Sequence, residues 1–216
     1  KFLMAGSLSR GAKPVMWSPV EKTALAEAEI EYHDHTSTTI FVRFPVVTAS
    51  TPDIEGASIV IWTTTPWTMP GNRAVAYGAD IEYSVIEVTA TGDDSLATVG
   101  EKLIIATARL DDVCAQCAIT GHSVLATLKG ETLAGTTCAH PLKGQGFDFD
   151  VPALPAAFAT TEEGTGIVHI APGHGADDWE LGRDNGLTVP DTVGEDGCFL
   201  ESVPLFNGQH VYKVND

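Results

Sequence analysis

Two segments of this 216-residue chain concentrate side chains able to do chemistry. The first, Trp62-Thr63-Thr64-Thr65-Pro66-Trp67-Thr68-Met69-Pro70-Gly71-Asn72-Arg73, sets four threonines and an asparagine around two prolines. Such a run offers hydroxyls and backbone amides to a ligand, while the prolines restrict how the loop moves. It is equally what a threonine-rich strand closed by prolines looks like. The second segment, Gly164 to Trp179, reads GTGIVHIAPGHGADDW. A strand ending near His169, a loop broken by Pro172, Gly173 and Gly175, and a helix opening on Asp177 and Asp178 would bring imidazole and carboxylate to one cavity mouth. The bland alternative is a buried strand histidine, one carboxylate at the helix end and the other facing water.

Metal chemistry has two candidate ligand sets. His169, His174, Asp177 and Asp178 are ligands zinc accepts, but His-x4-His across Pro172 and Gly173 lacks the helical geometry of a metalloprotease motif. Cys114-Ala115-Gln116-Cys117, with Cys138 and His122 or His140, lacks a second pair at ligand spacing, and the same residues suit a short apolar helix over Arg109–Ala118. No metal and no cofactor is expected. The signatures of serine hydrolases, P-loop NTPases and Rossmann dehydrogenases are missing, so an enzyme here must catalyse a reaction needing little covalent help.

The elements that must position these side chains are mostly short strands. Residues 39–47, 58–62, 74–77, 83–89, 103–107, 123–128 and 166–170 are rich in β-branched residues and are separated by Pro, Gly, Asn and Asp breaks. A last strand is expected over Gln209–Lys213. Helices are expected over Val20–Ile30, rich in Ala and Glu, and Ala176–Asn185, which opens on two carboxylates and stops at Gly186. The expected class is mainly β (α+β), with a compact barrel-like core and a few peripheral helices.

Composition narrows the function. With 44% hydrophobic and 19% charged residues the chain can build an ordinary core. No apolar run is long enough for a membrane helix, and four scattered cysteines suit a reducing, cytoplasmic compartment better than a disulfide scaffold. A net charge of −17 argues against a domain that holds nucleic acid by its own field, so a polyanionic substrate must be gripped elsewhere. One local exception is the basic edge formed by Lys1, Arg10, Lys13 and Lys22 against Glu21. The ends, Lys1 and Asp216, look like cuts, so residues 1–216 are expected to be a single domain of a larger protein.

The strings WTTTPWTMPGNRAV (62–75), GTGIVHIAPGHGADDWELGRDNGL (164–187) and KPVMWSPVEKTALAEAEIEY (13–32) closely resemble, in order, the inserted editing domain of bacterial isoleucyl-tRNA synthetases. Thr65 and Trp67 favour the isoleucine branch over its valine and leucine sisters. The resemblance implies hydrolysis of Val-tRNA(Ile), and of valyl-adenylate in addition, with Ile-tRNA(Ile) excluded. A methylene is worth only about 1–3 kcal/mol in a pocket, isoleucine against valine being the standard instance, so a synthetic site leaks valine and a second sieve must remove it. By position, Asp178 matches the carboxylate expected to hold the substrate α-ammonium. His169 matches the histidine that sets the size limit. Thr63, Thr64, Thr65, Thr68 and Asn72, with Trp62, match the segment that contacts the terminal adenosine and aminoacyl group and helps place water. Implied partners are the 3′ end of tRNA(Ile) carrying valine and the rest of a parent synthetase, with no membrane and a monomeric state. Ser18 and Val20 stand where some relatives have cysteines, so that region receives no role, and neither does His174 or Asp177. The rival functions are a non-catalytic insert that samples aminoacyl-tRNA and a metal-dependent hydrolase built on the His/Asp cluster.

Overall fold

The computed structural model describes residues 1–8 and 13–215; Arg10 of the basic edge lies outside them. Of its companions, Lys1 and Lys13 are exposed, while Lys22 pairs with Glu195 at 3.3 Å. In chain order the strands are β1 (Trp17–Ser18), β2 (Thr23–Ala24), β3 (Ile40–Thr48), β4 (Ala57–Thr63), β5 (Ala74–Tyr77), β6 (Glu82–Thr91) and β7 (Lys102–Ala106). They continue with β8 (Ile119–Lys129), β9 (Thr137–Ala139), β10 (Asp150–Pro155) and β11 (Ile167–Ile170). Helix α1 (Leu110–Gln116) follows β7, and α2 (Ala176–Asp184) follows β11. The fold is therefore mainly β, as expected.

Alternation sends the two sides of these strands into different cores. Ile59 and Ile61 of β4, with Ile104 and Ala106 of β7, enter a core shared with Phe44, Val75, Tyr77, Val151 and Ile167. Val60, Leu103 and Ile105 point the other way, onto Leu110, Val113 and Cys114 of α1. Both faces of β4 are covered, which is why it reads as an unbroken apolar run rather than an alternating one. On β6 the same alternation sends Tyr83 and Val85 into the first core and Ile86 and Val88 into the second.

Nine strands form one mixed sheet in the order β11-β5-β10-β9-β3-β4-β7-β6-β8, with β5–β10 and β4–β7 parallel. The sheet curls until its edge strand β11 lies against β4, giving the barrel-like closure. Ala106 N–H donates to Thr165 O at 2.9 Å across this closure. Gly166, at φ +78°, sits where a Cβ would collide with the Ala106 side chain, so the join requires glycine. Closure brings the end of β4, which leads into the threonines, beside β11, which carries His169.

Three expectations are corrected. Residues 20–30 form no α-helix: β2 pairs back onto β1, and only a 3-10 turn, Glu27–Glu29, follows. Its residues are largely exposed, and a short helix without a buried face is marginal whatever its propensity. Gln209–Lys213 is a set of turns with a single bridge from His210 to Cys198, its Val211 packing on Phe147 and Phe199 instead of on a sheet edge. Strands β9 and β10 went unforeseen, for β10 carries Pro152 and Pro155 and β9 has three residues. Among the described residues no helix is long and apolar enough to cross a membrane.

Candidate functional site

Beyond β4 the chain enters a 3-10 turn, Pro66–Gly71, with Pro66 at its start supplying the required φ. This turn, β11 and the start of α2 enclose a cleft of about 420 Å³. Trp62, Thr63, Thr64, Thr65, Thr68, His169 and Asp178 all line it, although about a hundred residues separate the two motifs. Thr64 and Thr65 are exposed, Thr63 and Thr68 are buried, and Trp62 is half-buried with its ring against Gly164. Asn72 is fully buried and does not line the cleft. It supports the site from behind, where a direct ligand contact was expected.

That support is a directed chain of hydrogen bonds. The Asn72 amide nitrogen donates to Ala74 O at 2.9 Å and to His169 Nδ1 at 3.2 Å. A backbone carbonyl only accepts, so the amide orientation is set, and Nδ1 must then be the unprotonated nitrogen. The proton sits on Nε2, which donates to Thr68 Oγ1 at 2.8 Å, and the Thr68 hydroxyl passes its own proton to Thr65 O at 2.9 Å. Thr65 N–H in turn donates to Thr63 Oγ1 at 3.1 Å. Burial, reinforced by His174 and His140, pushes the His169 pKa down to about 4, so its ring is neutral at physiological pH. With both nitrogens occupied inside the protein, His169 presents ring surface to the cleft. The cost of this order is Asn72 Oδ1, buried without a partner, about 1–3 kcal/mol.

Asp178 sits in the first turn of α2, and its Oδ2 accepts from Ala171 N–H at 2.7 Å. Burial raises its pKa above the ordinary carboxylate value, the Ala171 amide opposes that rise, and Asp177 adds to it. Such a carboxylate gains from a cationic partner, which relieves its desolvation. Asp177, one residue earlier, is exposed at the helix start. His174, assigned no role from the sequence, also lines the cleft: its Nε2 lies 2.8 Å from Thr192 Oγ1 and its ring meets Trp67 edge-on at 5.0 Å.

The His/Asp set weighed for metal binding is not gathered: His169 is tied to Asn72 and Thr68, His174 to Thr192, and Asp178 to Ala171. Cys114 and Cys117 sit on and just after α1 in the second core, with burial raising both thiols, Cys117 to about 11. Among the described residues no three His, Cys, Asp or Glu side chains converge at metal-holding distance. Sequence reasoning missed Phe158, Glu162, Glu163 and Thr165, which form the far wall of the cleft. They lie on the β10–β11 connection, and only closure of the sheet brings them opposite the threonines.

Residues 1–213 match the sequence profile of the tRNA synthetases class I (I, L, M and V). The chain belongs to this family. Over its whole length this class I synthetase chain is 56% identical, across 218 residues, to the isoleucine–tRNA ligase of Gluconobacter oxydans (strain 621H). It is 46% identical, across 215 residues, to that of Pelagibacter ubique (strain HTCC1062), again over its whole length. It spans about a quarter of these curated relatives, 23% of each. Its fold is similar to the crystal structure of GlLeuRS-CP1, with TM-score 0.60 and 15% identity over 82% of this chain and 93% of that one. It is also similar to the P. knowlesi cytosolic leucyl-tRNA synthetase editing domain, with TM-score 0.51 and 15% identity over 69% and 65%. The synthetase cleft is thus carried on an editing-domain fold, in a chain whose sequence follows the isoleucine branch.

Proposed function

We propose that residues 1–216 are the single inserted editing domain of a longer isoleucine–tRNA ligase. Its cleft hydrolyses the ester of valine mischarged on tRNA(Ile) and shuts out isoleucine. The observation that carries this reading is the convergence of both motifs on one cleft, with a neutral His169 ring locked as part of its wall.

Asp178 holds the substrate α-ammonium through a charge-assisted contact, which fixes the aminoacyl group against the His169 ring. That ring, clamped by Asn72 and Thr68, cannot swing aside for the extra methylene of isoleucine. Thr63, Thr64 and Thr65, with Trp62, receive the terminal adenosine and orient the attacking water. An aminoacyl ester is already activated, so an oriented water, assisted by the neighbouring ribose hydroxyl, suffices without a protein nucleophile. Valyl-adenylate carries the same α-ammonium and side chain and is a second substrate. In the cytoplasm the parent synthetase grips the tRNA body, and this acidic domain, a monomer, receives only the single-stranded end.

The test is hydrolysis of Val-tRNA(Ile) and Ile-tRNA(Ile) at low salt, with Asp178→Ala alongside and chelator present. Release of valine but not isoleucine, lost in the variant and indifferent to chelator, is expected. Inhibition by chelator would replace this mechanism with a metal-dependent one, and binding without turnover would make the chain a sampling insert.

A further inference from the structure

Behind the threonine turn lies His140, 1% exposed and outside the lining of the cleft. It follows β9, and its ring stacks on Phe147 at 4.9 Å and 15°, tilts against Phe149 at 5.1 Å and meets Phe44 edge-on at 6.5 Å. Leu142 N–H donates to its Nδ1 at 3.2 Å, so the ring proton must sit on Nε2. Nε2 reaches Met69 O at 3.1 Å. Met69 O also accepts from Asn72 N–H at 3.0 Å, and Asn72 is the residue that clamps His169.

Resting on the editing reading, we propose that His140 is a positioning residue for the reaction: its Nε2–H, aimed at Met69 O, fixes the C-terminal end of the 66–71 turn. It thereby fixes both Asn72 behind His169 and the threonines in front. Three aromatic rings leave the imidazole one orientation, and the Leu142 amide selects the tautomer that donates. A carbonyl accepting two bonds at the last turn of a 3-10 helix holds that turn against fraying. Burial depresses the His140 pKa to about 4, so the donating neutral form persists at the pH where tRNA is charged. Nothing else in this aromatic pocket explains a polar ring: an apolar residue would pack there without needing the Met69 and Leu142 contacts.

Two substitutions separate donation from packing. His140→Gln places an amide N–H near the position of Nε2 and keeps the donor to Met69 O. His140→Asn places an acceptor near Nδ1 for Leu142 and loses that donor. In the full-length synthetase, Gln is expected to retain valine release, whereas Asn lowers kcat by about 10- to 100-fold with KM little changed, as loss of ångström-scale placement does. Amide hydrogen exchange over residues 65–73 is read in parallel and does not depend on the reaction: exchange is expected to speed up in Asn and not in Gln. Equal loss of activity and equal exchange in the two variants would overturn the proposal and leave His140 a packing residue. Should Asn not fold, Gln alone decides, because loss of kcat in Gln at unchanged Tm would overturn it. If the unsubstituted enzyme releases no valine, the editing reading fails, and the exchange data still decide whether His140 holds the turn.

Discussion

The cleft and the second core both gather histidine with polar or nucleophilic partners, and they differ in what those groups are left to do. On one side His169, Asn72, Thr68 and Thr65 form a directed hydrogen-bond chain whose last members open onto a cavity. On the other, Cys114 Sγ lies 3.7 Å from His122 Nδ1, with Leu110 and Val113 packed around it and the Cys114 and Cys117 thiols both raised by burial. A raised thiol pKa means little thiolate and an inert sulfur. Residue types suited to catalysis therefore appear twice, and so does a cavity, for Val60, Leu103, Val113 and Cys117 line one of about 300 Å³; only the cleft, where a fully specified proton order meets a half-buried carboxylate, is built as a site.

The comparison is broken most sharply at Asp178. Asp178→Asn is expected to lower valine release by on the order of 100-fold, measured as kcat/KM on Val-tRNA(Ile), because a neutral amide gives up the charge-assisted contact to the ammonium. The same change is expected to leave Tm unchanged or raised. The Asp178 pKa lies above its unfolded value, so this group contributes stability at low pH and loses it as pH rises through the folded pKa. An Asn variant with lower Tm at pH 7 would contradict that sign.

Next in size is the wall. His169→Ala is expected to admit isoleucine, raising Ile-tRNA(Ile) hydrolysis by roughly tenfold or more, since one methylene is worth about 1–3 kcal/mol when the steric limit is gone. Asn72→Ala attacks the same wall from behind and is expected to cost about 2 kcal/mol in chemical denaturation, the two lost donors being partly offset by removal of the orphaned Oδ1. Discrimination against isoleucine should fall with it.

The pH dependence runs opposite to that of Asp178. His140 and His169 have folded pKa values of about 4 against an ordinary 6.5. Between these limits the unfolded chain binds more protons, so stability is fully present above pH 6.5 and falls as pH drops toward 4. A Tm profile flat from pH 7 to 5 would contradict the burial of both rings. The smallest effect is expected on the other side of the comparison. Cys114→Ala should cost about 1 kcal/mol of stability through lost packing and leave valine release unchanged, and alkylation of the folded protein at Cys114 should be slow.

Much of this molecule was legible before it was folded. Strands β3 to β7 follow from stretches rich in β-branched and apolar residues between strong breakers, and α2 from carboxylates at its start and glycine after its end. What misled was local propensity without burial: the Ala- and Glu-rich stretch after Trp17 has no core to lie on. Short, proline-bearing β10 exists because β5 and β9 flank it, a circumstance no local pattern announces. The two motifs were recognisable as strings, but Asn72 could be placed behind the wall, and His140 behind Asn72, only from the structure.

Residue order alone determined the mainly β class, the two chemical segments and the family branch, because each rests on neighbours along the chain. Tertiary structure alone decided which side chains face the cleft, which nitrogen of His169 carries the proton, and that Cys114 and Cys117 are filling rather than reactive. Burial, tautomer and hydrogen-bond direction are set by groups far apart in sequence, brought together only when β11 closes against β4.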